Sequence, residues 1–175
     1  MLYCLELLRL LRSSEVEVHA VVSEAGETVL QLELGMSAAE LPGVSCRYDI
    51  DDFTAPPASG SSRYHGMIIL PCTTGTLAAV AAGISSNLIH RAADVTLKER
   101  RPLLLAVRET PLNRTHLANM LALHDAGAVI CPAMPAFYHQ PQTLAAMARS
   151  YAGRLCDLLG IPVADLPRWQ GIDHV

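Results

Sequence analysis

Little in this 175-residue chain is aromatic, basic or uniformly apolar over a long run, and each shortage removes a class of protein. Aromatic residues are 5% of the total. The core must therefore be built from Leu, Ala, Val and Ile, the composition of helices packed on a buried parallel sheet rather than of an antiparallel sandwich. Lys and Arg number 13 against 17 Asp and Glu, and the formal charge of −4 offers no overall basic field for nucleic acid. No uncharged apolar run is long enough to span a bilayer. The leucine-rich opening Met1–Arg12 carries Glu6, Arg9 and Arg12 and is followed by no small-residue cleavage site, which excludes a signal peptide. The five cysteines are widely and irregularly spaced, with no Cys-x-x-Cys pair and no zinc-type cluster with histidine. Read as reduced thiols, they predict a cytoplasmic protein without a bound metal.

What is present is core. Apolar residues make up 51% and charged residues 17%, with a mean hydropathy of +0.28, which excludes intrinsic disorder and suits one hydrophobic core. Leu2, Leu5, Leu8 and Leu11, joined by Leu7 and Leu10, recur at helical spacing until Ser13-Ser14 breaks the pattern. Val16–Val22 reads as a strand ended by Ser23, and residues 24–41 as one or two short helices. Met67–Pro71, Leu103–Val107 and Ala128–Cys131 are further strands, each followed by polar, Gly or Pro residues and then a helical pattern, with a last helix over Gln142–Leu159. Strand–helix alternation of this kind predicts an α/β fold. Residues 49–62 resist regular structure. A domain linker and a binding loop are both compatible with that stretch; the single strand before it is too little for an independent core, which favours the loop.

In an open α/β sheet, ligands bind beyond the carboxyl ends of the strands. The residues there are Ser23, Cys72-Thr73-Thr74-Gly75-Thr76, Arg108-Glu109-Thr110 and the run from Pro132 to Tyr138. Hydroxyls and amides opening a helix, as in Thr-Thr-Gly-Thr, can seat an anion, although helix capping alone would account for one of the hydroxyls. Other positions have plain structural readings. Lys98-Glu99-Arg100-Arg101 is by itself a solvated charge run at a helix end, Glu33 a surface residue, Tyr138 a packing residue, and Arg154 a partner for Asp157. Cys72 reads as a small buried residue rather than a nucleophile.

Seven ordered blocks carry a resemblance: Ala55-Pro-Pro-Ala-Ser-Gly-Ser-Ser62, Leu70-Pro-Cys-Thr-Thr-Gly-Thr76, Asn87-Leu-Ile-His-Arg-Ala-Ala-Asp94, Leu97-Lys-Glu-Arg-Arg-Pro102, Val107-Arg-Glu-Thr-Pro111, Phe137-Tyr-His-Gln-Pro141 and Pro167-Arg-Trp169. The chain resembles the UbiX/Pad-type flavin prenyltransferases, within the superfamily of homo-oligomeric flavin-containing cysteine decarboxylases. The resemblance implies one flavoprotein domain over residues 1–175, with a three-layer Rossmann- or flavodoxin-like open parallel sheet. The implied reaction joins a dimethylallyl group from dimethylallyl phosphate to reduced FMN without a metal, and the prenylated FMN then serves UbiD-type decarboxylases. It further implies a homododecamer, and no nucleic-acid or membrane partner. Ser23, Thr73, Thr74, Gly75, Thr76 and Arg108 would contact FMN. Lys98, Tyr138 and Arg154 would grip the substrate phosphate, some from a neighbouring subunit, with Phe53 and Ser59 near the prenyl group. Glu33 and Glu109 would handle protons. Loss of an allylic phosphate calls for fixed cations at the leaving group, tunable carboxylates for proton steps and a π-face for the cationic fragment.

The family pattern also departs from this chain at one place. Relatives begin with a further strand and a Gly-Ala-Ser-Gly type turn that holds the FMN phosphate, whereas Met1-Leu2-Tyr3 aligns with the first turn of the helix that follows. The expectation is a sheet lacking a middle strand, with unpaired backbone groups costing about 1–3 kcal/mol for each one buried, and weak FMN binding by the 175 residues alone. A start assigned too late and a shortened chain are favoured over abandonment of the flavin site, because the other site residues remain. Two other functions fit the same superfamily: an FMN-dependent cysteine decarboxylase, whose Pro-Ala-Ser-Ala-Asn-Thr motif has Asn where Gly75 stands, and a non-catalytic flavin-binding subunit.

Overall fold

The computed structural model describes residues 1–169 and 171. Its elements run α1 (Leu2–Ser13), β1 (Val18–Val21), α2 (Glu24–Leu34), β2 (Val44–Tyr48), β3 (Met67–Cys72), α3 (Thr74–Ala81), α4 (Leu88–Lys98), β4 (Leu103–Val107), α5 (Arg114–Asp125), β5 (Val129–Ile130) and α6 (Leu144–Leu158), with 3₁₀ turns at Ala38–Glu40 and Pro56–Ala58. Every strand pairing is parallel, as the strand–helix alternation predicts.

Strand β4 shows why these residues fold this way. All five of its side chains are buried. Leu104 and Ala106 face Leu10 of α1 and Ala152 and Leu155 of α6, while Leu103, Leu105 and Val107 face Leu77 and Val80 of α3 and Leu123 of α5. An unbroken apolar run is what a strand covered by helices on both faces requires. The result is the three-layer α/β arrangement, with its core on either side of β3-β4-β5.

The strands form two ladders, β1-β2 and β3-β4-β5, and among the described residues no ladder joins β1 to β3. One continuous sheet is thus replaced by two. They are tied instead by side chains and by a helix. His19 of β1 bonds through Nδ1 to the Tyr64 hydroxyl at 2.8 Å and the Tyr48 hydroxyl at 3.0 Å, with Nε2 2.8 Å from Glu17. Tyr64 lies just before β3, so this cluster bridges the sheets. Helix α1 presents Leu7, Leu10 and Leu11 to the three-stranded sheet and α6, and Leu8 to Leu30 and Leu41 beside β1-β2.

Strand β2 corrects the sequence reading, in which one strand preceded residue 49. Its alternating burial follows Val44, Cys46 and Tyr48 on one side and Ser45 and Arg47 on the other, a half-wet strand at the edge of its sheet. The stretch 24–41 resolves into α2 and the turn Ala38–Glu40, and Gly35 ends α2 in the left-handed conformation at φ 63°. Residues 49–62 are a loop built on local carboxylate turns: Asp49 accepts from the Asp51 amide and Asp52 from Thr54, both at 2.9 Å.

Candidate active site

Parallel pairing of β3 with β4 sets Cys72 opposite Val107 and places the segments that follow them side by side. Thr73 caps α3: its hydroxyl accepts from the Thr76 amide at 3.2 Å and donates to the Thr76 hydroxyl at 3.1 Å. Capping therefore explains Thr73 but leaves the first-turn amides of Thr74 and Gly75, which have no partner within a helix. Gly75 borders open space, its nearest neighbour to an added Cβ being the Thr73 hydroxyl at 3.8 Å. Next to it, Arg108 is exposed and its amide bonds the Cys72 carbonyl at 3.3 Å. Glu109, also exposed, accepts from the Thr110 amide at 3.0 Å. Thr73–Thr76, Arg108 and Glu109 thus share one rim. Its amides, hydroxyls and guanidinium form a donor set suited to a phosphate-bearing flavin. Ser23 plays the same capping part at the end of β1, accepting from the Gly26 amide at 3.1 Å.

Cys72 is fully buried, and burial pushes its thiol up to about 12, so it stays protonated at neutral pH. The packing reading of this residue holds.

Lys98, the only lysine in the sequence, closes α4 and pairs with Glu99. The ammonium holds the Glu99 carboxyl below the usual range. Both side-chain ends lie against Gly60, where an added Cβ would have to push them aside. Two arginines fasten the same loop: Arg91 Nε donates to the Ala58 carbonyl at 3.1 Å and Arg101 to the Gly60 carbonyl at 2.8 Å. Ser59, whose hydroxyl lies 2.9 Å from that of Ser61, is thereby carried beside Lys98, and Phe53 stands 47% exposed on the same loop. Lys98, Glu99 and Arg100 are exposed at the end of α4, whereas Arg101 is half-buried against the loop. Sequence reasoning missed Arg91 and Arg101; the signal was the seven-residue spacing of Arg91 and Lys98, two turns apart on one helix face.

Tyr138 touches the segment Pro167–Trp169, and Arg154 shares Asp157 with Arg168 of that segment. Tyr138 is exposed, its ring edge-on to Trp169 at 5.5 Å and to His139 at 5.3 Å, and its hydroxyl donates to the Pro167 carbonyl at 3.5 Å. Both ring nitrogens of His139 are buried without a partner among the described residues. Arg154 projects from α6, 68% exposed, with Nη1 3.8 Å from Asp157. Asp157 is held closely by Arg168 instead, at 2.9 and 3.0 Å, a contact the sequence reading did not foresee. Glu33 sits near the far end of α2 from Ser23, its carboxylate paired with the Met1 ammonium. Within one chain the structure does not bring Glu33 to the rim. Among the described residues, no group of three His, Cys, Asp or Glu is placed to hold a metal, and no helix is long and apolar enough to cross a membrane.

A strand-end rim of amides and hydroxyls in a parallel α/β fold is the architecture of a nucleotide or flavin binder. The flavoprotein family pattern matches residues 1–152, and the chain belongs to that family, among its flavin prenyltransferases. The flavin prenyltransferase UbiX of Deinococcus radiodurans is 48% identical over 169 residues, covering 96% of this chain and 87% of that protein. The one from Pseudomonas aeruginosa is 46% identical, covering 99% and 90%. Among solved structures, AnUbiX in complex with FMN and dimethylallyl pyrophosphate superimposes with a TM-score of 0.93 at 41% identity, covering 95% of this chain and 89% of that one. A dodecameric FMN-dependent UbiX-like decarboxylase from Escherichia coli O157:H7 gives 0.92 at 41%, covering 95% and 91%.

Proposed function

We propose that this protein is a flavin prenyltransferase that moves the dimethylallyl group of dimethylallyl phosphate onto reduced FMN and releases inorganic phosphate. The observation that carries the reading is the near-complete structural match to a relative solved with FMN and dimethylallyl pyrophosphate, combined with the cations gathered at the loop that carries Ser59. The allylic C–O bond would break with its electron pair going to phosphate oxygen, and each carbon bond made to the flavin would replace a hydrogen whose proton passes to the phosphate or to the prenyl carbon. Lys98, Arg154 and Tyr138 bind the phosphate and neutralise the charge that develops on it. Thr73, Thr74, Gly75, Thr76, Ser23 and Arg108 hold FMN, which when bound supplies the electron-rich ring that accepts the prenyl group. Glu109, beside Arg108, moves a proton at the rim, and Glu33 is assigned the second proton step across a subunit contact. Phe53 and Ser59 line the prenyl side.

An oligomer would make that assignment possible. Met134, Phe137 and Leu144 are each about two-thirds exposed or more in the single chain, large apolar groups of the kind an assembly covers. A cytoplasmic homododecamer whose product passes to a UbiD-type decarboxylase accommodates them. The test is anaerobic incubation with reduced FMN and dimethylallyl phosphate. Phosphate release with a flavin heavier by one prenyl unit is expected; flavin of unchanged mass, with no phosphate released, would refute the proposal.

A further inference from the structure

Asp157, on α6, stands between two arginines and is held closely by only one of them. Arg168 donates through Nη2 to Oδ1 at 2.9 Å and through Nη1 to Oδ2 at 3.0 Å, a two-pronged contact that occupies both carboxylate oxygens. Arg154, three residues before Asp157 on the helix, is left at 3.8 Å and 68% exposed. Helical spacing alone would pair Arg154 with Asp157. The chain end that supplies Arg168 is anchored on both sides of it. Leu166 packs over Gly153, where an added Cβ would overlap it, and joins the core beneath α6. The Pro167 carbonyl accepts from the Tyr138 hydroxyl, and Trp169 meets the Tyr138 ring.

We propose that Arg168 is a positioning residue: by saturating Asp157 it keeps the guanidinium of Arg154 available for the substrate phosphate, while its chain neighbours Pro167 and Trp169 hold Tyr138. This rests on the reading of Arg154 as a phosphate-binding group. The Arg168 guanidinium also holds the Asp157 carboxyl below its usual range, with Arg154 contributing less, in keeping with that order of contacts. Without Arg168, Asp157 would be free to take both prongs of Arg154, and the substrate would have to compete with an intramolecular carboxylate.

The consequence is a suppressor relation that a mere structural tether would not produce. In assembled protein, Arg168→Ala should raise KM for dimethylallyl phosphate about tenfold with a smaller change in kcat, the fold-change equivalent to one charge-assisted contact. Adding Asp157→Asn to that variant should bring KM back to within about threefold of the starting protein, since the neutral amide no longer captures Arg154. Asp157→Asn alone should stay close to the starting KM. A double variant no better than Arg168→Ala, or an unchanged KM in Arg168→Ala, overturns the proposal. Arg154→Ala separates the two layers. If it leaves KM unchanged, the phosphate-binding reading fails and takes the proposal with it; if it raises KM while the double variant shows no recovery, the positioning role alone fails. Thermal unfolding of each variant, expected within a few degrees of the parent because Arg168 is exposed, excludes global damage as the cause.

Discussion

The two sheets are built on different terms. Strands β3, β4 and β5 are covered on both faces, and β4 buries every side chain, whereas β1 is half-buried along its length and β2 alternates between sheltered and wet positions. The first sheet is held by apolar packing; the second leans on one helix and on the His19–Tyr48–Tyr64 cluster. The contrast teaches that the rim carrying Thr73 and Arg108 sits on the more fully buried sheet, while Ser23 sits on the part with less packing behind it.

Core truncation should expose this difference most strongly. Leu104→Ala, at a fully buried position, is expected to cost about 2–5 kcal/mol. Val44→Ala in the two-stranded sheet should cost about 1 kcal/mol because less apolar area is lost there. Chemical denaturation of both variants checks the gap, and equal losses would erase the distinction between the sheets. Next in size, Lys98→Ala should lower kcat/KM by roughly 10- to 100-fold, the loss of about 1.5–3 kcal/mol of charge-assisted binding, with little change in stability. A stability loss as large as the activity loss would instead make Lys98 a strut for the loop at Gly60.

Legibility in the sequence followed the same contrast. Strands β3 and β4 announce themselves as continuous apolar runs, and the helical leucine spacing of α1 survives into the structure. Strand β2 escaped because Val-Ser-Cys-Arg-Tyr is short and half polar, a pattern that a loop can also show. The position of Thr73 and Arg108 at strand ends was legible because parallel topology fixes where the chain must turn. The contacts of Arg91, Arg101 and Arg168 were not, since each reaches a backbone carbonyl or a carboxylate whose position only tertiary folding sets. Glu33 shows the converse: a residue marked by family position that a single chain leaves paired with Met1.

Smaller effects sharpen the picture. Tyr64→Phe removes one bond to His19 and should cost about 0.5–1.5 kcal/mol, with hydrogen exchange rising at β1 and β2 more than at β4. A uniform rise would mean that the cluster supports the whole protein rather than its weaker sheet. The mildest perturbation is acid. The carboxyl of Asp157 titrates below its ordinary value because Arg168 favours the charged form. Its stabilising contribution is complete above the unfolded aspartate pKa and is lost as the pH falls through the lowered folded value. Fluorescence of Trp169, the only tryptophan in the sequence, should therefore stay constant from neutrality down to about pH 4 and change below it. That change should be absent from Asp157→Asn.

Helix α1 packs against both sheets at once, and this dual allegiance determines how the molecule comes apart. Neither half can lose its helix without stripping the other, so melting followed at β1 and at β4 should trace a single sigmoid. The less densely packed sheet thereby borrows cooperativity from its neighbour, and its backbone is protected from solvent for longer than its own contacts would secure.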